Sequence, residues 1–350
     1  MKFIVVVFAG LVLINPIRAD GKPDPAIKAA VTKALKRIEQ GVTNYPKHRQ
    51  CFSCHHQAMG VLAMTAAQKH GFEVDAELIK KQIDFSLKTF RSKSAIAKGH
   101  GVGGESTAVV YALHMLAAVE RPHDETIAAL VEYLLVKQRP DGSWPIAPFG
   151  ERPPTMGSLF TNVGLAMAVL KKYGPPKDAG DAALVQSRID GAFAKGQAWL
   201  LANSPVSTED KVFHLHGLVD GGAERKHIET ARDRLVKDQR EDGAWAQLAN
   251  MAPDAYATST VLVALRRAGL ATTDKAHQRG VKHLLDSQRD DGAWFVQTRT
   301  RPLQKYFDNG DHGGKSQFIS FAATNWAVLA LLDTLSCDAD RRKRDTKADE

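Results

Sequence analysis

The chain has 350 residues, 47 Lys and Arg against 39 Asp and Glu, a formal net charge of +8 and 44% hydrophobic residues. That length can bury one large core or two smaller ones, and three cysteines exclude a disulfide-stapled scaffold, so packing must supply the stability. The charges are scattered rather than blocked, which gives a mildly basic surface, and no nucleic-acid partner is expected, a nucleic-acid arm being the lesser reading of the tail. The one basic run, Arg341-Arg342-Lys343-Arg344, sits among acids in a tail (337–350) read as polar and disordered.

Residues 1–19 have the form of a secretory signal peptide: Lys2 gives a charged start, Phe3–Ile14 is apolar, and Ala19 precedes Asp20 as a cleavage position. The apolar run is short for a membrane span and no second one follows. The mature chain is therefore expected in the periplasm or secreted, without a transmembrane segment, an uncleaved anchor being the alternative. Residues 20–50 read as an extension with a leading helix.

Cys51-Phe52-Ser53-Cys54-His55-His56 is the next feature. Its C-x-x-C-H spacing is that of covalent c-type haem attachment, in which two thioethers hold the porphyrin and the following imidazole takes the iron. Cys51, Cys54 and His55 are the expected cofactor-binding residues, with His55 as the metal ligand. A disulfide, a thioredoxin-like redox pair and half of a zinc site are the competing readings.

Beyond it lies a repeat. Gln138–Trp144, Gln239–Trp245 and Gln288–Trp294 share the pattern Q-R-x-D-G-x-W, in a unit of about fifty residues, with Gln197-Ala198-Trp199 as a remnant of a fourth copy. Each unit reads as two helices. One is apolar on most sides and therefore buried, as in Thr107–Ala118, Thr161–Leu170, Thr258–Leu265 and Thr324–Leu332. The other is amphipathic and outer, as in Asp124–Lys137, Glu224–Asp238 and Lys275–Ser287. Six inner segments begin near Gln57, Ser106, Ser158, Glu209, Ala255 and Gln317. The expected fold is all-α, an (α/α)6 toroid over residues 51–336, with an open solenoid as the alternative.

At these heptads the chain resembles the squalene-hopene cyclase and prenyltransferase superfamily, whose QW motifs tie the ends of outer helices to their neighbours. The resemblance covers roughly residues 57–335. It implies that the Gln and Trp of each heptad are structural, and that a central cavity takes a long apolar, isoprenoid-like ligand. Phe160, Met167, Phe213, Tyr256 and Phe318 are candidate lining residues, and His214 and His216 could face the cavity or be satisfied internally. Cyclases of the hopene type protonate an alkene with a D-x-D-D acid. The nearest match is Asp254-Ala255-Tyr256-Ala257, where Tyr256 stands in place of the proton-donating aspartate and Asp254 reads as a helix cap. The Asp/Cys/His zinc set of protein prenyltransferases has no counterpart.

In a closed toroid the loops entering the second and sixth inner helices flank the first, and each carries a glycine-rich histidine. His100 and His312 are thus the candidates for the sixth iron position. Gly99–Gly104 also matches G-x-G-x-x-G, but without a preceding strand it is no dinucleotide site. The leading functional expectation is an exported haem-c toroid serving electron transfer to a redox partner protein, or oxidising a hydrophobic small molecule. A cyclase-like isomerase and a non-catalytic binding module with a zinc or disulfide clip are the alternatives.

Overall fold

The computed structural model describes residues 24–146, 152–175, 180–301, 306–308, 310–311 and 313–335. The signal-peptide segment, the tail beyond 335 and His312 lie outside the described residues. Among the described residues there are thirteen α-helices, and the only β pairing is a single bridge between Ala246 and Pro253.

Six helices form the inner layer: α2 (Met59–Lys69), α5 (Glu105–Ala118), α7 (Leu159–Lys172), α9 (Thr208–Asp220), α11 (Ala255–Arg267) and α13 (Gln317–Leu335). Most are apolar on nearly every side, as burial on most sides requires, while α9 and α11 carry more polar residues. Each packs on the next in chain order, and α13 packs back on α2, so the ring closes. The outer layer is α1 (Pro25–His48), α3 (Ala76–Leu87), α6 (Glu125–Lys137), α8 (Ala182–Ala202), α10 (Arg225–Lys237) and α12 (Lys275–Ser287), with a short α4 (Lys93–Ala97) laid against α6. The toroid expected from the sequence is therefore present and closed.

The heptads make the joints. Trp144, Trp245 and Trp294 are fully buried, and each indole N–H donates to the carbonyl ten residues earlier, Leu134, Leu235 and Leu284, at 2.7–2.8 Å. Each glutamine amide bridges its own turn to the following outer helix. Gln138 reaches Ala192 of α8, Gln239 reaches Ala276 of α12, and Gln288 reaches Ala30 of α1. The last of these joins the end of the repeat to the start of the chain, so α1 serves as the outer helix that completes the circle. Gln197-Ala198-Trp199 does not play this part. It lies inside α8, whose end falls at Asn203, so Gln197 sits too early to cap a helix terminus.

The Asp-Gly turn brings the backbones together. Gly292 has φ +84°, and a Cβ there would stand 2.4 Å from the carbonyl oxygen of Lys33 on α1. Gly292→Ala is expected to destabilise the protein by at least about 1–2 kcal/mol from the left-handed backbone alone, with a lower Tm as the readout. Gly222→Ala, at φ +61° with open space around its Cβ, separates the backbone contribution from the contact with α1.

Candidate active site at the N-terminal rim of the inner ring

The inner helices enter the ring from one end, and their first turns meet there. Thr107 of α5 donates to Asn162 of α7 at 2.9 Å, Thr161 of α7 donates to Glu209 of α9 at 2.8 Å, and the Tyr256 hydroxyl of α11 donates to the same carboxyl at 3.1 Å. Thr258 and Thr324 accept from the backbone N–H groups of Trp245 and Trp294. The threonines that open the inner segments are thus the polar rim of an apolar ring.

Glu209 is 3% exposed, two residues inside a helix started by a reciprocal Ser207–Asp210 cap. Burial pushes its carboxyl up to about 7, against the pull of the Thr161 and Tyr256 hydroxyls and of Arg299. Thr155 lies 3.0 Å from the Tyr256 hydroxyl, and Tyr111 of α5, buried opposite, shares this electrostatic environment. The α5 and α11 helices are separated in the ring by α7 and α9, so this cluster spans the interior. Arg299, half-buried, donates to Gln247 at 2.8 Å and its charge bears on Glu209. One carboxyl is therefore shut from water with a hydroxyl on each oxygen and holds its proton up to neutral pH.

Asp254 is the N-cap of α11, accepting from the Ala257 N–H at 2.9 Å. Phe160 packs outward on Trp199 and His214, and Met167 approaches Gly196 and Gly221. These two serve the interface between layers rather than an interior surface. Phe213 of α9 meets Trp326 of α13 across the ring at 6.4 Å between centroids, with His216 beside it. His214 bonds the Leu200 carbonyl at 3.1 Å, toward the outer layer.

The cysteine motif stands on the same rim. Cys54–Ala58 forms a π-helical turn ahead of α2, capped by Ser53, whose Oγ accepts from the His56 N–H while Gln57 accepts from the Ser53 N–H at 3.1 Å. Cys51 is exposed, 3.7 Å from the Tyr45 hydroxyl, and Cys54 is turned inward to the Thr107 carbonyl; neither is in a disulfide. Burial pushes the Cys54 thiol up to about 12, which disfavours the thiolate that a redox pair or zinc ligand needs. Among the described residues no three His, Cys, Asp or Glu groups converge as a metal-holding set.

His55 bonds Ser53 Oγ through Nδ1 and rests against Phe318 at 4.8 Å between centroids. Burial first, then His56 and Arg152, hold its imidazole neutral. His56 is stacked between Tyr45 and Phe321, with Nε2 2.6 Å from Asp311. Asp311 also lies 3.6 Å from Arg37 of α1. The loop into the sixth inner helix does flank the motif, through Asp311 and Phe318. In the loop into the second, His100 is exposed and lines a shallow groove with Arg91, Lys93 and Lys98.

Glu209, Thr155, Tyr111 and Arg299 are the rim residues that sequence reasoning did not single out. The available signal for Glu209 was an acidic residue in the first turn of an inner helix, in the register of Thr161 and Tyr256.

The fold and rim define an all-helical terpene cyclase-like toroid. The sequence profile of the Squalene-hopene cyclase C-terminal domain family matches residues 187–348. A curated relative, drimenyl diphosphate synthase of Streptomyces showdoensis, is 27% identical over 203 residues, 55% of this chain and 36% of the relative, so the chain spans about a third of that relative's length. A type II terpene cyclase from Scytonema, solved with merosterolic acid A as product, superposes with a TM-score of 0.55 at 15% identity, covering 89% of this chain and 97% of that one. A glycosidase solved with glucose superposes with a TM-score of 0.56 at 13% identity, covering 90% and 99%. These structural likenesses are of fold, and the chemistry must be argued from the rim.

Proposed function

We propose that the protein is a terpenoid-cyclase-like isomerase acting on an isoprenoid chain, with Glu209 as its acid. The observation that carries this reading is the buried carboxyl on the inner rim, protonated up to about pH 7 and held through both oxygens. The profile match and the terpenoid synthase relative support it. Tyr256 occupies the place where the resemblance calls for an aspartate, and Glu209 supplies the acid from the neighbouring helix.

In this reading the Glu209 O–H bond breaks and its proton goes to a terminal alkene carbon. The alkene π pair forms the new C–H bond and leaves a tertiary cation, which the next alkene attacks. Loss of a proton to a base ends the sequence, so the product is an isomer of the substrate and no redox partner is consumed. The Thr161 and Tyr256 hydroxyls stabilise the carboxylate left behind, and the faces of Tyr111 and Tyr256 suit a passing cation. Purified protein incubated with squalene, farnesyl diphosphate and geranylgeranyl diphosphate is expected to yield a cyclic isomer of at least one, read by gas chromatography and mass spectrometry. The rate is expected to fall as pH rises through about 7, because the acid form is the active one. No isomer from any of the three at any pH rules the reading out.

A second reading, c-type haem attachment, is favoured by the Ser53–His55 hydrogen bond. It fixes Nδ1 and leaves Nε2 as the atom a metal would take, beside two cysteines with no disulfide between them. The residues fit that group in kind: Cys51 and Cys54 would carry the thioethers and His55 the iron, and the haem would supply one-electron transfer. A redox partner protein and export through residues 1–19 belong to this reading. Full-length chain expressed with haem-c maturation machinery is expected to show a Soret band and gel-retained haem, both lost in the Cys51→Ala/Cys54→Ala variant with its helical signal unchanged. Colourless wild-type protein eliminates it.

A further inference from the structure

One joint of the outer layer differs from the three that carry heptads. At the ends of α6 and α12 a glutamine stands at the C-cap, at the end of α10 one residue beyond it, and each is followed by the Asp-Gly turn and the tryptophan that fills the space toward the next outer helix. At the end of α8 the C-cap is Asn203, whose shorter amide returns to the Trp199 carbonyl of its own helix at 2.8 Å. No Asp-Gly-x-Trp follows; the chain runs through Ser204, Pro205 and Val206 directly into α9. The joint between α8, α9 and α10 remains open as a concavity of about 160 Å³.

Its walls are cationic. Lys211 and His214 come from α9, His227 and Arg234 from α10, with the Asn203 and Ser204 side chains at the edge. Lys211 is paired with Asp238 at 2.6 Å, but among the described residues no carboxylate stands within ion-pair distance of Arg234 or His227. The mutual repulsion of these groups is felt at His214, whose pKa is held down by burial and then by Arg234 and His227, against its bond to the Leu200 carbonyl. The hollow therefore sets an Arg234 guanidinium with no carboxylate partner among the described residues beside the His227 imidazole and the Lys211 ammonium, above an apolar floor of Leu201, Leu218 and Ala231.

We propose that this open joint is a binding site for a small phosphate-class oxyanion, with Arg234 as the principal donor and Lys211 and His227 beside it. The hollow has room for inorganic phosphate or pyrophosphate, and a guanidinium suits the fork geometry of their oxygens. The site lies between inner α9 and outer α8 and α10 and uses none of the residues assigned a role in the rim chemistry, so it does not depend on the reading of the rim. Calorimetric titration of the full-length protein with inorganic phosphate and with pyrophosphate is the test, alongside the variants Arg234→Ala and Arg139→Ala. Arg139 is a control in a joint whose heptad is complete. Saturable binding of either anion at up to millimolar concentration is expected, weakened about tenfold or more in Arg234→Ala, the size of a charge-assisted hydrogen bond, and unchanged in Arg139→Ala. Circular dichroism should show both variants folded, since Arg234 is exposed. No saturable binding of either anion overturns the proposal, as does equal weakening in both variants, which would mean attraction by net charge only.

Discussion

Glu209→Gln is expected to abolish cyclisation, by roughly 10²–10⁴-fold as for loss of a general acid, while leaving the fold intact. The amide is isosteric: its oxygen can accept from Thr161, and its nitrogen can donate to the Tyr256 oxygen in place of the 3.1 Å bond now running the other way. It has no proton to give. Tyr256→Phe keeps the acid but removes one donor to the carboxylate formed on proton transfer, so a smaller loss of about 10–100-fold follows from a hydrogen bond to a charged group. A Tyr256→Phe loss equal to that of Glu209→Gln would move the acid role to the phenol and count against Glu209.

The same substitution has a signature in stability that does not require a substrate. The folded-state pKa of Glu209 is about 7, above the ordinary 4.5, so between these values the folded protein holds a proton that the unfolded chain has released. Its contribution is fully present below pH 4.5, is lost as pH rises through about 7, and amounts to on the order of 3 kcal/mol across that window. Thermal unfolding of the wild type should therefore lose stability over this range more steeply than Glu209→Gln. Parallel pH profiles would show that the carboxyl is not buried as described.

The ring was legible because its signals are periodic and local. Helices apolar on most sides must be inner, charged amphipathic ones must be outer, and three copies of one heptad set the unit. Closure was not legible, since it depends on the meeting of Gln288 with Ala30, residues at opposite ends of the chain with no shared pattern. The rim was legible in part. Asp254 announced a cap, but the raised pKa of Glu209 comes from a burial that no local pattern announces. His100 lies in a loop shaped by two residues of positive φ, Gly99 and Gly101, and lines the groove beside α4, a placement that the glycine-rich sequence by itself does not specify. The Gln197 remnant failed on register, six residues short of the helix end at which a clasp can act.

Trp245→Ala is expected to destabilise the protein by about 3–5 kcal/mol, the range for removing a fully buried large aromatic side chain. Two separate contributions place it there. The indole is fully buried, so its removal opens a cavity between α10, α11 and α12, where Leu262 and Gly280 now close on it. Its N–H donates to the Leu235 carbonyl at 2.7 Å, a helix-end group that would keep only the longer 3.2 Å bond from the Asp238 N–H. Its backbone is held to the inner layer by Thr258 at 3.0 Å, a bond the alanine retains. Trp245→Phe therefore divides the effect, keeping most of the area and losing the donor, at about 1–3 kcal/mol. Denaturant unfolding monitored by circular dichroism is the measurement. Equal losses for Phe and Ala would assign the role to the hydrogen bond, and an unchanged midpoint for Ala would mean that the heptad does not hold the outer layer together.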